Sequence, residues 1–178
     1  MIPTHRLRVR WRCSPTVLQR HGWRLAGHPL LLDQLDKLIA AAERARQSDP
    51  AGWQGNANVK LLATLRDLML DRVPRDPLAA EFRQGNTLGP AHRHWFRAKF
   101  GANRFRLFFR ADSASRIVVY AWVNDRDTLR KAGAASDPYA VFARMLAHGN
   151  PPDDWPRLLA AAQDPAGVLR FAAVAPKP

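Results

Sequence analysis

From Leu31 the apolar residues Leu31, Leu35, Leu38, Ile39 and Ala42 recur at i, i+4, i+7, i+8 and i+11, the spacing of one helix face. Ser48, Asp49 and Pro50 end that run. A second helix is predicted from Asn56 or Asn58, either of which can cap it, through Leu61, Leu62, Leu65, Leu68 and Met69 to the prolines at 74 and 77. The two form a helical hairpin. After a loop over residues 82–93 the spacing changes to period two, predicting strands over 95–100, 104–111 and 116–124. Ile117 to Val123 is apolar at consecutive positions, the pattern of an interior strand covered on both faces. Upstream, Trp23, Leu25 and Gly27 alternate with Arg24, Ala26 and His28, which suits a short strand ended by Pro29. Downstream, Asp137 as N-cap and Pro138 in the first turn start a helix with Tyr139, Phe142 and Leu146 on one face, and Gly149 and Pro151 stop it. Asp154 caps a last short helix through Leu159.

These elements predict an α+β chain: a helical hairpin, a small antiparallel meander, then C-terminal helices. Residues 21–163 are expected to form a single domain, with a basic flexible arm over 1–20 and a tail over 164–178. The arm carries five Arg and no acid.

Alternation gives the strands their faces. Phe96, Ala98, Phe100, Phe105, Leu107 and Phe109 point to one side and form core. A two-residue turn at Ala102 and Asn103 sets Phe96 opposite Phe109, Ala98 opposite Leu107 and Phe100 opposite Phe105. The other face, read as the solvent side, pairs Trp95 with Arg110, Arg97 with Phe108 and Lys99 with Arg106. Like charges directly opposite one another cost a few tenths to about 1 kcal/mol, a penalty that an anion relieves.

Charge sharpens this picture. The 178 residues hold 28 Lys and Arg against 15 Asp and Glu, a net +13 with a pI near 11.4, and Arg outnumbers Lys by 23 to 5. A field of that sign favours polyanions, and the guanidinium fork fits phosphate oxygens bidentately. No acid occurs from Phe82 to Ala111, a span with seven Lys or Arg plus His92 and His94.

Several classes fall away. Cys13 is the only cysteine, which excludes an internal disulfide, and no apolar run approaches the roughly 18 residues of a membrane span. No secretion-type apolar segment follows the basic N-terminus, so a cytoplasmic protein with no membrane association is expected. Phosphate-loop, nucleophile-elbow and zinc-protease motifs are absent. His92-x-His94 has no acidic or cysteine partner nearby in the sequence and reads as a polar loop, so no metal and no cofactor are expected. Asn124, Asp125 and Asp127 read as turn caps, with Asp125 a candidate to orient a catalytic arginine. Trp122 and the Tyr139, Phe142, Leu146 stripe read as packing, with contact to a partner protein as a second use.

The run RAKFGANRFRLFFR, followed by VVYAWVNDRDTLR and DPYAVFARMLAHGNPPDDW, resembles the YhaV toxins of bacterial PrlF/YhaV toxin–antitoxin systems over residues 22–159. The resemblance implies a RelE/ParE-like α+β fold. It also implies an endoribonuclease that cuts RNA, including mRNA on the ribosome, to inhibit translation and growth. The partners implied are a PrlF/AbrB-like antitoxin and, through the antitoxin complex, operator DNA. Nucleases of the RelE type use two basic residues at i, i+2 on one strand and an Arg on the next, positions held here by Arg97, Lys99 and Arg106. A further Arg is matched by Arg126 or Arg130. The tyrosine used by some relatives has Ala132 at the equivalent spacing, leaving Tyr139 as a substitute.

Metal-free RNA cleavage needs a base for the ribose 2′-OH, cations for the pentacoordinate phosphate and a proton donor for the leaving oxygen. Arginine supplies only the cation. Arg97, Arg106 and Arg130 are therefore candidate phosphate clamps and Lys99 a candidate base, with His94 or His92 as rivals for base or acid. Trp95 and Phe108 are candidates to stack on unpaired bases, beside Arg93, Arg104, Arg110, Arg126 and His92 as RNA contacts. Two other functions share the pattern: a non-catalytic nucleic-acid-binding co-repressor, and a ParE-like gyrase inhibitor.

Overall fold

The structure is a computed structural model and describes residues 17–175. Residues 1–16 of the expected arm lie outside the described residues; its end, Gln19–Arg20, is strand β1 and pairs with β2, Trp23–Gly27. His28 caps helix α1, Pro29–Ser48, accepting a hydrogen bond on Nδ1 from the Leu30 N–H. Asn56 caps α2, Ala57–Asp67, which continues through a wider turn, Leu68–Arg72, into a last helical turn α3, Val73–Arg75. Helices α1 and α2 pack as the predicted hairpin.

The chain then forms β3, Phe96–Phe100, β4, Phe105–Asp112, and β5, Ile117–Val123. The register of β3 on β4 is the predicted one, with Phe96 opposite Phe109, Arg97 opposite Phe108 and Lys99 opposite Arg106. Ala102 and Asn103 both take positive φ, 54° and 62°, and the Arg104 N–H donates to the Gly101 carbonyl, a twist-matched two-residue turn.

The sheet departs from a pure antiparallel meander. Its strand order is β1-β2-β5-β4-β3, and β2 runs parallel to β5. A parallel pair needs a long crossover, and everything from α1 to β4 supplies it. Parallel pairing places β5 inside the sheet, which is why all seven of its residues are buried.

Helices cover both faces. On one side α1, α2 and α6, Pro165–Ala172, pack on Phe96, Phe100, Leu107, Phe109, Val118 and Tyr120. On the other, α4, Pro138–Ala147, and α5, Trp155–Ala162, pack on Trp95, Phe108, Val119 and Trp122. Helix α6 corrects the expected tail. Asp164 caps it, and Phe171 and Val174 insert into the core beside Tyr120. Gly27 marks how close that layer sits, because a Cβ there would lie 2.9 Å from both Leu32 and Phe171. No helix of the described residues is long and apolar enough to cross a membrane.

The second helical layer also corrects the reading of the basic hairpin face as a solvent face. Phe108 stacks on Phe142 with ring centroids 4.3 Å apart, and Trp95 meets Phe142 edge-on at 5.0 Å. The stripe Tyr139, Phe142, Leu146 requires an apolar surface to cover, and the aromatics of that hairpin face provide it.

Candidate active site

The covered hairpin face carries two arginines inward. Arg97 on β3 and Arg106 on β4 are only 8% and 4% exposed. Asp137 caps α4, accepting from the Tyr139 N–H, and so fixes the first turn of that helix directly over the two strands. The Tyr139 hydroxyl accepts hydrogen bonds from Arg97 Nε at 2.9 Å and Arg106 Nε at 3.3 Å. The remaining guanidinium contacts are to backbone carbonyls: Arg97 Nη1 donates to Glu81, and Arg106 Nη1 to Asn103 and Phe105.

Neither arginine has a carboxylate partner among the described residues. An ion taken out of water without a countercharge costs several kcal/mol, and carbonyl oxygens satisfy N–H groups without cancelling the charge. Arginine does not escape this by losing its proton. A bound anion offsets the cost.

Arg130 completes the cluster from the loop after β5. Its guanidinium lies 5.3 Å from the Tyr139 ring centre and is paired with the buried Asp137 carboxylate, which also accepts from the Lys131 N–H. Asp137, not Asp125, thus orients an arginine; Asp125 is occupied in capping, accepting from the N–H groups of Asp127 and Thr128 and from the Thr128 hydroxyl. Asn124 fastens this loop to the hairpin, accepting from the Arg106 N–H and donating to the carbonyls of Arg104 and Thr128. Arg130, Asp137 and Tyr139 line a cleft of about 480 Å³, with Leu88 and Ala143 among its walls. Lys99 stands exposed opposite Arg106.

Other predicted residues lie elsewhere. Trp95 and Phe108 are fully buried, so neither stacks on a base; each is a core aromatic. Arg110 is clamped between Trp95 and Trp155, 5.8 and 5.3 Å from the ring centres, and donates to the Asp153 carbonyl. Its contacts are structural, and burial lowers its pKa. Arg93 is exposed and bonds to Asn86. Arg104 and Arg126, with Lys60, rim a separate cleft of about 440 Å³ beside α2, floored by Leu61, Phe100 and Phe105.

Neither His92 nor His94 bonds to Tyr139. Both rings face Asp153, with His92 Nδ1 3.3 Å and His94 Nε2 2.7 Å from its Oδ1. At about 3.3 Å per strand residue, roughly 13 Å separates Trp95 from Lys99, so these imidazoles and the Lys99 end of the strand do not share one phosphate. The acid that the sequence lacked near them comes from 59 residues downstream. These three residues are the ones whose donor atoms are placed to hold a metal ion among the described residues. The sequence reading missed Asp153 entirely and treated Asp137 only as a cap. For Tyr139 the available signal was a hydroxyl on an otherwise apolar helix stripe.

The family model described as a toxin with endonuclease activity, of a toxin–antitoxin system, matches residues 25–163. The chain belongs to the YhaV toxin family. It is 39% identical over 139 residues to the ribonuclease toxin YhaV of Escherichia coli (strain K12), covering 78% of this chain and 90% of that protein. Toxin YhaV of Escherichia coli O157:H7 matches to the same extent. No solved structure matches. The expected family is therefore borne out: this YhaV-family chain is a toxin with endonuclease activity from a toxin–antitoxin system, and an antitoxin is its partner. The matched span contains Arg97, Arg106, Arg130, Asp137 and Tyr139 and stops before α6.

Proposed function

We propose that the chain cleaves RNA without a metal ion at the cleft beside Tyr139, with Arg97, Arg106 and Arg130 holding the scissile phosphate. The observation that carries this reading is the pair of buried guanidinium groups converging on one tyrosine hydroxyl with no carboxylate among the described residues to neutralise them. The ribose 2′-oxygen attacks phosphorus, the bond to the 5′ oxygen breaks, and the negative charge that builds on the phosphoryl oxygens meets cations already in place. Tyr139 supplies the proton-transfer group. Its O–H can donate to the leaving oxygen, and once the proton is gone its oxygen still accepts from two arginine N–H groups. Lys99, exposed at the rim beside Arg106, is the candidate to take the 2′-OH proton. The exposed Arg93, Arg104 and Arg126 supply outer phosphate contacts.

The RelE/ParE-like assignment is supported by the element order: a helical hairpin, then three antiparallel strands, with the first long strand parallel to the last. Charge supports an acidic antitoxin. By the resemblance above it is a PrlF/AbrB-like protein whose complex with the toxin binds operator DNA, and RNA on the ribosome is the substrate.

Incubation of purified protein with RNA, with and without ribosomes, followed by end-group analysis, tests this. The expected products carry a 2′,3′-cyclic phosphate and a 5′-OH. RNA left uncut but tightly bound in a salt-sensitive way would replace the nuclease with a binding module.

A further inference from the structure

His92, His94 and Asp153 are brought together by the fold and make no hydrogen bond to Arg97, Arg106, Arg130 or Tyr139. Their ligand atoms all lie within 4.8 Å of one another. The two imidazole rings are 6.1 Å apart and inclined by 70°, so each presents a different edge toward the carboxylate. We propose that these three side chains bind one divalent transition-metal ion of the zinc class, as a structural site separate from the cleavage centre.

The donor set suits such an ion. Two imidazole nitrogens and a carboxylate oxygen are borderline ligands that favour zinc, cobalt, nickel or copper over magnesium and calcium. Ligands about 2.0–2.2 Å from a tetrahedral ion stand roughly 3.3–3.5 Å apart. The His92-to-Asp153 separation of 3.3 Å already meets that spacing, and the His94-to-Asp153 separation of 2.7 Å needs to open by less than 1 Å. The ligating oxygen is also held by the core. Trp95, which is fully buried, donates its Nε1–H to Asp153 Oδ1 at 2.7 Å, the kind of outer hydrogen bond that orients a ligating carboxylate. Side-chain exposures of 25% for His92 and 37% for both His94 and Asp153 leave the ion a path in and a fourth position for water.

Without an ion, two imidazoles and an indole N–H compete for one oxygen. An ion takes a lone pair from each imidazole and ends that competition. It also joins the start of β3 to the segment between α4 and α5, which in turn holds Arg110 through the Asp153 carbonyl. The consequence is stabilisation of the α4–α5 layer.

The test uses the full chain without an affinity tag, stripped of metal and titrated with Zn²⁺ alone by calorimetry and with Co²⁺ by visible absorption. Expected are one ion per chain, a Co²⁺ spectrum of four-coordinate nitrogen and oxygen ligation, and a higher Tm with Zn²⁺. His92→Gln, His94→Gln and Asp153→Asn are each expected to weaken binding at least tenfold. Both histidines are partly exposed, so their variants keep the fold, checked by an unchanged metal-free Tm. His148→Gln, on the far end of α4, serves as control and keeps wild-type affinity. Absent stoichiometric binding, a loss below tenfold in both histidine variants, or an equal loss in the control would each overturn the site. None of these readouts involves RNA cleavage, so they stand or fall independently of the nuclease.

Discussion

Arg97 on β3 donates from Nε to the hydroxyl of Tyr139 on α4 at 2.9 Å, across 42 positions of sequence. The contact joins a strand to the helical layer above it through a polar bond inside an aromatic cluster, where packing alone would favour Phe at position 139. On the proposed function, this buried cation is one of the groups that hold the scissile phosphate. Arg97→Ala is expected to lower the RNA cleavage rate by on the order of 10²–10³, the usual cost of one lost donor to a developing oxyanion. Arg106→Lys keeps the charge but loses the Nε contact to Tyr139 and is expected to fall in the same direction. Single-turnover rates at saturating RNA report both.

Trp95 and Phe108 are core, and their substitution is a stability experiment. Phe108→Ala removes stacking on Phe142 and Trp122 and is expected to cost about 3–5 kcal/mol in urea denaturation. RNA affinity of the remaining folded fraction should be unchanged. A Phe108→Ala protein of native stability with weakened RNA binding would restore the base-stacking role.

Helix α6 lies beyond the span shared with the family, yet it closes the core. Phe171→Ala is expected to cost about 3–5 kcal/mol, and deletion from residue 164 onward to lower Tm sharply, because Leu32, Tyr120 and Gly27 lose the side chain that covers them. A truncated chain that melts like the full one would show that α6 is dispensable.

His28 carries a pH prediction. Burial lowers its pKa from 6.5 to about 4, and its neutral Nδ1 caps α1. The unfolded chain takes up this proton first as pH falls, so stability declines from about pH 6.5 to about pH 4 and this contribution is flat below. The loss is on the order of 3 kcal/mol. His28→Asn retains a capping oxygen and should remove this part of the slope in urea titrations run across that range.

Much of this architecture was legible in the residue pattern. The α1 periodicity, the Asp137 and Asp154 caps and the Ala102–Asn103 turn are local signals, and the turn alone fixed which residues of β3 and β4 face each other. What the pattern could not carry was which surface covers which. The face of Arg97, Lys99 and Arg106 reads as polar in isolation, and only the docking of α4 converts Trp95 and Phe108 into core and the arginines into buried cations. The partners Asp137 and Asp153 are tertiary facts of the same kind, as is the parallel pairing of β2 with β5. The α6 helix went unread although Asp164 and Pro165 repeat the Asp–Pro start of α4; Phe171 is recognisable as core only once it docks beside Tyr120.

The central claim is that Tyr139, held by two uncompensated arginines, moves the proton during RNA cleavage. Tyr139→Phe tests it most directly, since the ring stays in the aromatic cluster and only the hydroxyl is lost. The single-turnover cleavage rate is expected to drop by about 10²–10⁴ with RNA affinity close to wild type, while Tm falls modestly because two buried arginine N–H groups lose their acceptor. A folded Tyr139→Phe protein that cuts RNA at the wild-type rate would contradict the account.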